Sequence, residues 1–205
     1  MALIHKNWTK VSINNVVSEF LRGERDRISS IYPPWLPIID SPNLKDPLEN
    51  HKRLRLLYIY RVNFWIEVPP DTEWYEVHSL TENELDELYM SARHNGEWDA
   101  AGSKLVKVAA VSPLPLRAPP DVWPGRIILW GHEKTGPFTI LEGNHRMLAY
   151  AAAPRRPLLD ISVYVGVSES FCYWHFADPS TLLGNDLIKR ELRIEETTNK
   201  WLYVR

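Results

Sequence analysis

The sequence predicts an α+β fold, and three observations lead there. Apolar residues recur at intervals of three and four in several segments, as on one face of a helix, while other short runs are rich in β-branched and aromatic residues. Proline pairs at Pro33-Pro34, Pro69-Pro70 and Pro119-Pro120 cut these segments apart. A hydrophobic content of 44% with nine tryptophans supplies the core for a small mixed sheet with flanking helices. A chain of 205 residues suits one domain with an elaborated end. The stretch 1–70 reads as an N-terminal helical extension packed on the core, 71–167 as the core, and 168–205 as an aromatic segment and helix of the same unit.

From Ser12 to Arg27, the positions Val16, Val17, Phe20, Leu21 and Ile28 mark the apolar stripe of an amphipathic helix. Tyr32 to Pro37, followed by Pro42, predicts an extended linker, because proline lacks the amide donor and restricts its predecessor. Asp46 as a cap, Pro47 at the first position and Glu49 reaching back predict a helix to about Tyr60. Pro69-Pro70-Asp71 breaks the chain before a strand over Trp74–Val77. Thr81 and Glu84 form a capping box, and Leu85, Leu88, Tyr89 and Ala92 predict a helix that stops at Asn95-Gly96.

Lys104 to Val111 fits helix and strand equally by period, and Pro113, Pro115, Pro119 and Pro120 predict an irregular surface connection after it. Arg126–Trp130 and Pro137–Leu141 are β-rich runs that predict a hairpin around Gly131–Gly136. Met147–Ala153 predicts a helix ended by Pro154, and Ile161–Val165 alternates as a strand does. The order is therefore strand, strand, helix, strand. Asn185 to Glu196, with Leu187, Ile188, Leu192 and Ile194, predicts a terminal helix, with Trp201 and Tyr203 anchoring the end.

Composition narrows the function classes. Lys plus Arg number 24 against 26 for Asp plus Glu, a net charge of -2, which disfavours a protein whose main task is to coat a nucleic-acid backbone. The single Cys172 excludes an internal disulfide and a Cys-rich zinc site. No apolar run approaches 18 residues and the N-terminal stretch has no secretory h-region, so a soluble, cytoplasmic protein without a membrane partner is expected.

The candidate functional centre is Phe138-Thr139-Ile140-Leu141-Glu142-Gly143-Asn144-His145-Arg146, a strand feeding a helix start. A helix N-terminus offers amide donors and the positive end of the helix dipole, which suits an anion. Gly143 lets the backbone approach a ligand closely, Asn144 is placed to cap, His145 to donate or shuttle a proton, and Arg146 to present a planar fork to phosphate oxygens. Glu142 is placed to bind a ribose hydroxyl, hold a magnesium-bound water or act as a base.

The hairpin, the Glu142-Gly143-Asn144-His145-Arg146 turn and the helix Met147–Ala153 resemble the N-terminal domain of the ParB and sulfiredoxin superfamily. In that superfamily a Gly-X-X-Arg turn holds nucleotide phosphates, and Gly143, Asn144, His145 and Arg146 match it. The resemblance spans Trp74 to about Val167, and it implies a ParB/sulfiredoxin-like domain extended by N-terminal helices. Asn144 stands where sulfiredoxins carry their nucleophilic Cys, which speaks against sulfinic acid reduction. Only a short segment follows Val167, which speaks against the DNA-binding domain of partition proteins. The resemblance implies a nucleotide as ligand, ATP or another, with magnesium as a candidate companion. Its small-molecule kinase, nucleotide hydrolase and nuclease members supply the reaction classes, and the acceptor is unidentified.

Two further positions stay open. Glu76 and His78 lie near the first strand of this domain, where related kinases place a catalytic carboxylate, whereas Glu82 and Glu84 read as cap and solvated helix face. Gly23-Glu24-Arg25 echoes the partition-protein turn but falls inside a helical pattern. His132 and Glu133 on the hairpin loop have no metal-ligand spacing with His145, and no metal site is assigned. The aromatic run Phe171–Phe176 around Cys172 reads as core or as a partner surface, with a Trp or Tyr stacked on a nucleotide base as the lesser alternative and a homodimer interface as a further one. The expectation is a nucleotide-binding phosphotransferase or hydrolase in which Glu142 and His145 are catalytic, with a non-catalytic phosphate sensor as the alternative.

Overall fold

The computed structural model describes residues 3, 6–31, 33–66, 68–90, 104–111, 125–153 and 161–170. They form a six-stranded mixed sheet with helices on both faces. The strands are β1 (Trp8–Val11), β2 (Glu73–Val77), β3 (Tyr89–Met90), β4 (Ile127–Gly131), β5 (Thr139–Glu142) and β6 (Val163–Val167). Their order is β1-β2-β6-β4-β5-β3, with β6 parallel to β4, β3 parallel to β5 and the other pairs antiparallel. The helices are α1 (Ile13–Gly23), α2 (Arg25–Ile31), α3 (Leu36–Asp40), α4 (Pro47–Ile66), α5 (Glu82–Asp86), α6 (Leu105–Val111) and α7 (Asn144–Ala152).

Strand alternation divides the core in two. Val77, Ile127, Leu129, Ile140, Val163 and Val165 face α5, α6 and α7, meeting Leu85, Leu105, Met147 and Leu148. Trp74, Ile128, Trp130 and Tyr164 face the N-terminal helices, meeting Val16, Val17, Phe20, Leu21, Ile28, Leu56 and Leu57. Each such side chain contributes about 1.5–3 kcal/mol when fully buried, so the helices at 13–66 are a layer of the core in their own right. The same stretch supplies edge strand β1, which pairs with β2 from Trp8↔Val77 to Val11↔Trp74.

Several local expectations change. The helix expected from Ser12 to Arg27 is two helices broken at Glu24, whose amide turns back to Phe20 and Leu21 carbonyls. Gly23, a poor helix residue, sits at the break. The segment expected as an extended linker is helical, a 3₁₀ turn over Pro33–Trp35 followed by α3. Pro37 lies in the first turn of α3, where a missing amide costs no helical bond.

Helix α4 starts as expected, with Asp46 Oδ1 accepting from the amides of Leu48 (2.8 Å) and Glu49 (3.4 Å), and it runs on to Ile66. Glu49 instead accepts from the Asn43 amide (2.9 Å) and from buried Arg53 (3.0 Å). The Thr81–Glu84 capping box forms, but α5 stops at Asp86 and Tyr89-Met90 becomes strand β3. Pairing with Thr139 and Ile140 overrides the helical spacing there. Residues 104–111 resolve as helix α6 preceded by a bridge at Lys104. Ala92, Asn95-Gly96, the prolines at 113–120, the aromatic run Phe171–Phe176 with Cys172, the terminal helix at 185–196, Trp201 and Tyr203 lie outside the described residues.

Among the described residues no helix is long and apolar enough to cross a membrane.

Ile128 is fully buried against the N-terminal helices. Ile128→Ala is expected to lower the unfolding free energy by about 2–5 kcal/mol in urea denaturation. A loss below about 1 kcal/mol would mean that this face of β4 is not closely packed. At the β1–β2 edge, Tyr75 donates to Glu73 Oε2 (2.5 Å), and that bond together with burial pushes the phenol up to about 12. The folded state holds this proton more tightly than the unfolded chain, so the contribution is present below about pH 10 and fades as pH rises toward 12. Ultraviolet difference titration should show a tyrosine ionising in that range, and Tyr75→Phe should remove that component.

Candidate functional site

Strand β5 leaves the sheet through Gly143, which takes φ +100° and ψ 13° at the start of α7. The left-handed backbone favours glycine, and a side chain there would also sit tightly against Ile127 Cγ2 at 3.2 Å and the Arg146 guanidinium at 3.3 Å. Met147 N–H closes on Gly143 O at 2.9 Å, the first bond of the helix ladder. Asn144 is buried inside the first turn, and its Nδ2 donates to Ile140 O (3.4 Å). It therefore braces the turn rather than capping the helix, since Gly143 occupies the cap position. A register shift pairs Ile128 with Glu142 and Leu129 with Ile140, leaving Leu141 as the extra residue of a bulge that re-aims the strand end.

The register brings one end of the sheet together at this turn. The C-terminal end of β2, the N-terminal ends of β4 and β6 and the C-terminal end of β5 lie side by side through the pairs Val77↔Val163, Ile127↔Val163 and Ile128↔Glu142. Arg126 heads β4, and its guanidinium binds Glu76 through Nε (2.6 Å) and through a second, shorter contact from Nη2. The Arg126 amide donates to Glu19 Oε1 (2.9 Å), and the guanidinium lies 3.7 Å from Glu19 Oε2. Arg22 Nη2 donates to both Glu19 oxygens, Oε1 (2.7 Å) and Oε2 (2.9 Å). Arg146 reaches back over Gly143 and donates to the Arg126 carbonyl (3.3 Å).

Burial sets the electrostatics here. The Glu19 and Glu76 side chains keep 10% and 17% of their exposure, so their attraction for the partly buried Arg126 is only partly screened by solvent, while Arg22 lies toward solvent. Burial pushes the half-buried Arg146 guanidinium below its ordinary pKa, opposed by the charges of Glu142 and Glu19 and helped by Arg22. Burial also works against the Arg126 charge, but the hydrogen bond to Glu76 and the fields of Tyr164, Glu76 and Glu19 carry its pKa above the ordinary value. Arg126 lies 5.1 Å from the centre of the Tyr164 ring, and burial raises the Tyr164 phenol against that charge.

Of the residues predicted for a site, Glu142, Gly143, Asn144 and Arg146 form the turn itself, and His145, the second residue of α7, is exposed. Glu76 joins them through Arg126. His78 sits beside Glu76, with Nε2 3.6 Å from Glu76 Oε1 and Nδ1 2.8 Å from Ser162 Oγ. Glu84 does cap α5 and also pairs with Lys6 at 3.1 Å. The Gly23-Glu24-Arg25 echo is a helix junction, where Arg25 is forked to Asp40 at 2.5 and 2.8 Å. His132 and Glu133 lie beyond the far end of β4 from His145, and among the described residues no three His, Cys, Asp or Glu side chains form a metal group.

Glu19, Arg22, Arg126, Ser162 and Tyr164 were not legible as site residues. Glu19 and Arg22 look like a solvated i,i+3 pair on an amphipathic helix, and only the Gly125-Arg126 step at the head of a strand hints at more. A cavity of about 300 Å³ lined by Glu84, Glu87, Tyr89, Pro137 and Phe138 lies at the loop end of the hairpin, away from the Gly143 turn. No family model matches the chain, and no curated protein or solved structure matches it.

Gly143→Ala is expected to destabilise the protein by about 1–2 kcal/mol, the cost of a left-handed backbone for a residue with a Cβ. Thermal or urea denaturation measures it, and a neutral result would contradict the turn geometry.

Proposed function

We propose that this sheet end binds the phosphates of a nucleotide and that the protein is a ParB/sulfiredoxin-like phosphotransferase or nucleotide hydrolase. One observation carries the reading: Arg22, Arg126 and Arg146 gather with Glu19, Glu76 and Glu142 around the glycine turn that opens α7. Guanidinium forks suit phosphate oxygens, and the start of a nine-residue helix adds its dipole. The Gly143-Asn144-His145-Arg146 match to the superfamily turn points the same way.

The carboxylates favour turnover over simple capture. They repel a phosphate, which a pure anion trap would avoid, whereas a phosphoryl-transfer site uses them to orient a nucleophile or magnesium-bound water. Magnesium commonly takes one or two carboxylates and completes its shell with water and phosphate oxygens, so Glu142 is the residue assigned to it or to the attacking water. Arg146 and Arg126 then stabilise phosphate charge, and exposed His145 binds or protonates an oxygen.

A thermal-shift screen of nucleotides with and without magnesium tests the ligand, with phosphate release testing turnover. Arg146→Ala should abolish the nucleotide-induced shift while the ligand-free protein still melts cooperatively, and Glu142→Gln should keep the shift but lower phosphate release by about 100-fold. An undiminished shift in Arg146→Ala would sink the proposal.

A further inference from the structure

We infer that Ser162 is a nucleophile of this site, activated by His78 and positioned through Glu76. Ser162 Oγ lies 2.8 Å from His78 Nδ1, and the other ring nitrogen faces Glu76 Oε1 at 3.6 Å. The three residues come from separate places in the sequence, Glu76 in β2, His78 just after it and Ser162 just before β6. They meet because Glu76 pairs with Tyr164 and Val77 with Val163 at the same sheet end.

The arrangement has the roles that nucleophilic catalysis needs: a hydroxyl, a base within hydrogen-bond reach and a carboxylate beyond the base. Glu76 Oε1 at 3.6 Å is too far for a hydrogen bond and is also the oxygen that Arg126 holds, so it positions the ring by proximity, and the reaction uses the tautomer with the proton on Nε2. That tautomer leaves Nδ1 as the acceptor for the Ser162 proton. Glu76 is itself fixed by Arg126, whose carbonyl holds Arg146. The serine and the proposed phosphate turn therefore share a single scaffold residue. His78 is half exposed, with 53% of its side-chain surface accessible, so a substrate can reach the pair from solvent.

The substrate class rests on the phosphate reading above: a nucleoside triphosphate or another phosphoryl donor. In the first step Ser162 Oγ bonds to phosphorus, its proton passes to His78 Nδ1, and the bond to the bridging oxygen breaks with its electron pair leaving on the nucleoside diphosphate. In the second step His78, having released that proton to solvent, takes one from water as the water oxygen attacks phosphorus. The serine oxygen leaves and recovers the proton from His78, so the net change is hydrolysis of one phosphoanhydride bond.

The nucleophile can be tested without a nucleotide. The whole protein is treated with diisopropyl fluorophosphate, a neutral phosphoryl donor, and the modified peptide is located by mass spectrometry. Modification at Ser162 is expected, absent in Ser162→Ala and about 100-fold slower in His78→Gln. Imidazole in solution should restore part of the rate to His78→Ala, which a merely structural histidine would not allow. Glu76→Gln should slow labelling and Glu76→Asp should recover part of it, each with the melting temperature recorded as a folding control. No label on Ser162 in the native protein, or labelling as fast in His78→Gln, overturns the inference. A nucleotide-induced melting shift without any label sinks the serine alone. A label without any such shift supports the serine and sinks the phosphate reading.

Discussion

The head of β4 holds the rest of the structure in place. Arg126 gives its amide to Glu19 of α1, its guanidinium to Glu76 of β2 and its carbonyl to Arg146 of α7. Three elements distant in the sequence are fixed by one residue, and each bond involves a charged partner, the kind that contributes about 1.5–3 kcal/mol. Gly125 immediately before it takes φ +90°, and the Glu19 carboxylate lies in the space where a side chain would project. The approach of α1 to the sheet end therefore depends on a glycine as well as on the ion pairs.

This constraint explains why Glu19, Glu76, Arg126 and Arg146 are partly buried rather than fully solvated, with Arg22 at the exposed rim. The apolar stripe of α1 draws the helix onto Ile128, Trp130 and Tyr164, and its next turn carries Glu19 and Arg22 over the strand ends. Buried carboxylates and guanidiniums are costly when unpaired, so they are organised against one another. The result is a mixed cluster, near balance in charge, at the end of the sheet where a helix starts. A tight turn with no side chain on Gly143 keeps the backbone of that helix start close to Ile127.

Much of the fold was legible because it rests on local signals. The hairpin, α7 and β6 follow from β-rich runs, alanine-rich helix propensity and a proline stop, and the α5 cap from a Thr81–Glu84 box that forms with bonds of 2.6 and 3.3 Å. The errors have physical causes. Leu85, Leu88 and Tyr89 have helical spacing, yet Tyr89 and Met90 gain a strand partner in β5, which no local pattern reveals. Pro33, Pro34 and Pro37 suggested an extended linker, yet prolines at the first positions of short helical turns cost little. Asn144 looked like a cap, but a left-handed Gly143 moved the helix start one residue and turned the amide inward.

The sequence by itself determined the α+β class, the strand-to-helix turn at Glu142–Arg146 and the residues within it, since these depend on neighbours a few positions apart. Only the tertiary structure decided which charges face that turn. Glu19, Arg22 and Arg126 are ordinary charged residues in their own segments, Glu76 stood out only as an open carboxylate near the first strand, and their meeting depends on sheet order β1-β2-β6-β4-β5-β3 and on the packing of α1 across it. Strand order and helix docking are set by long-range burial, which no short window of sequence records, and so the turn could be read from the chain while the cluster around it could not.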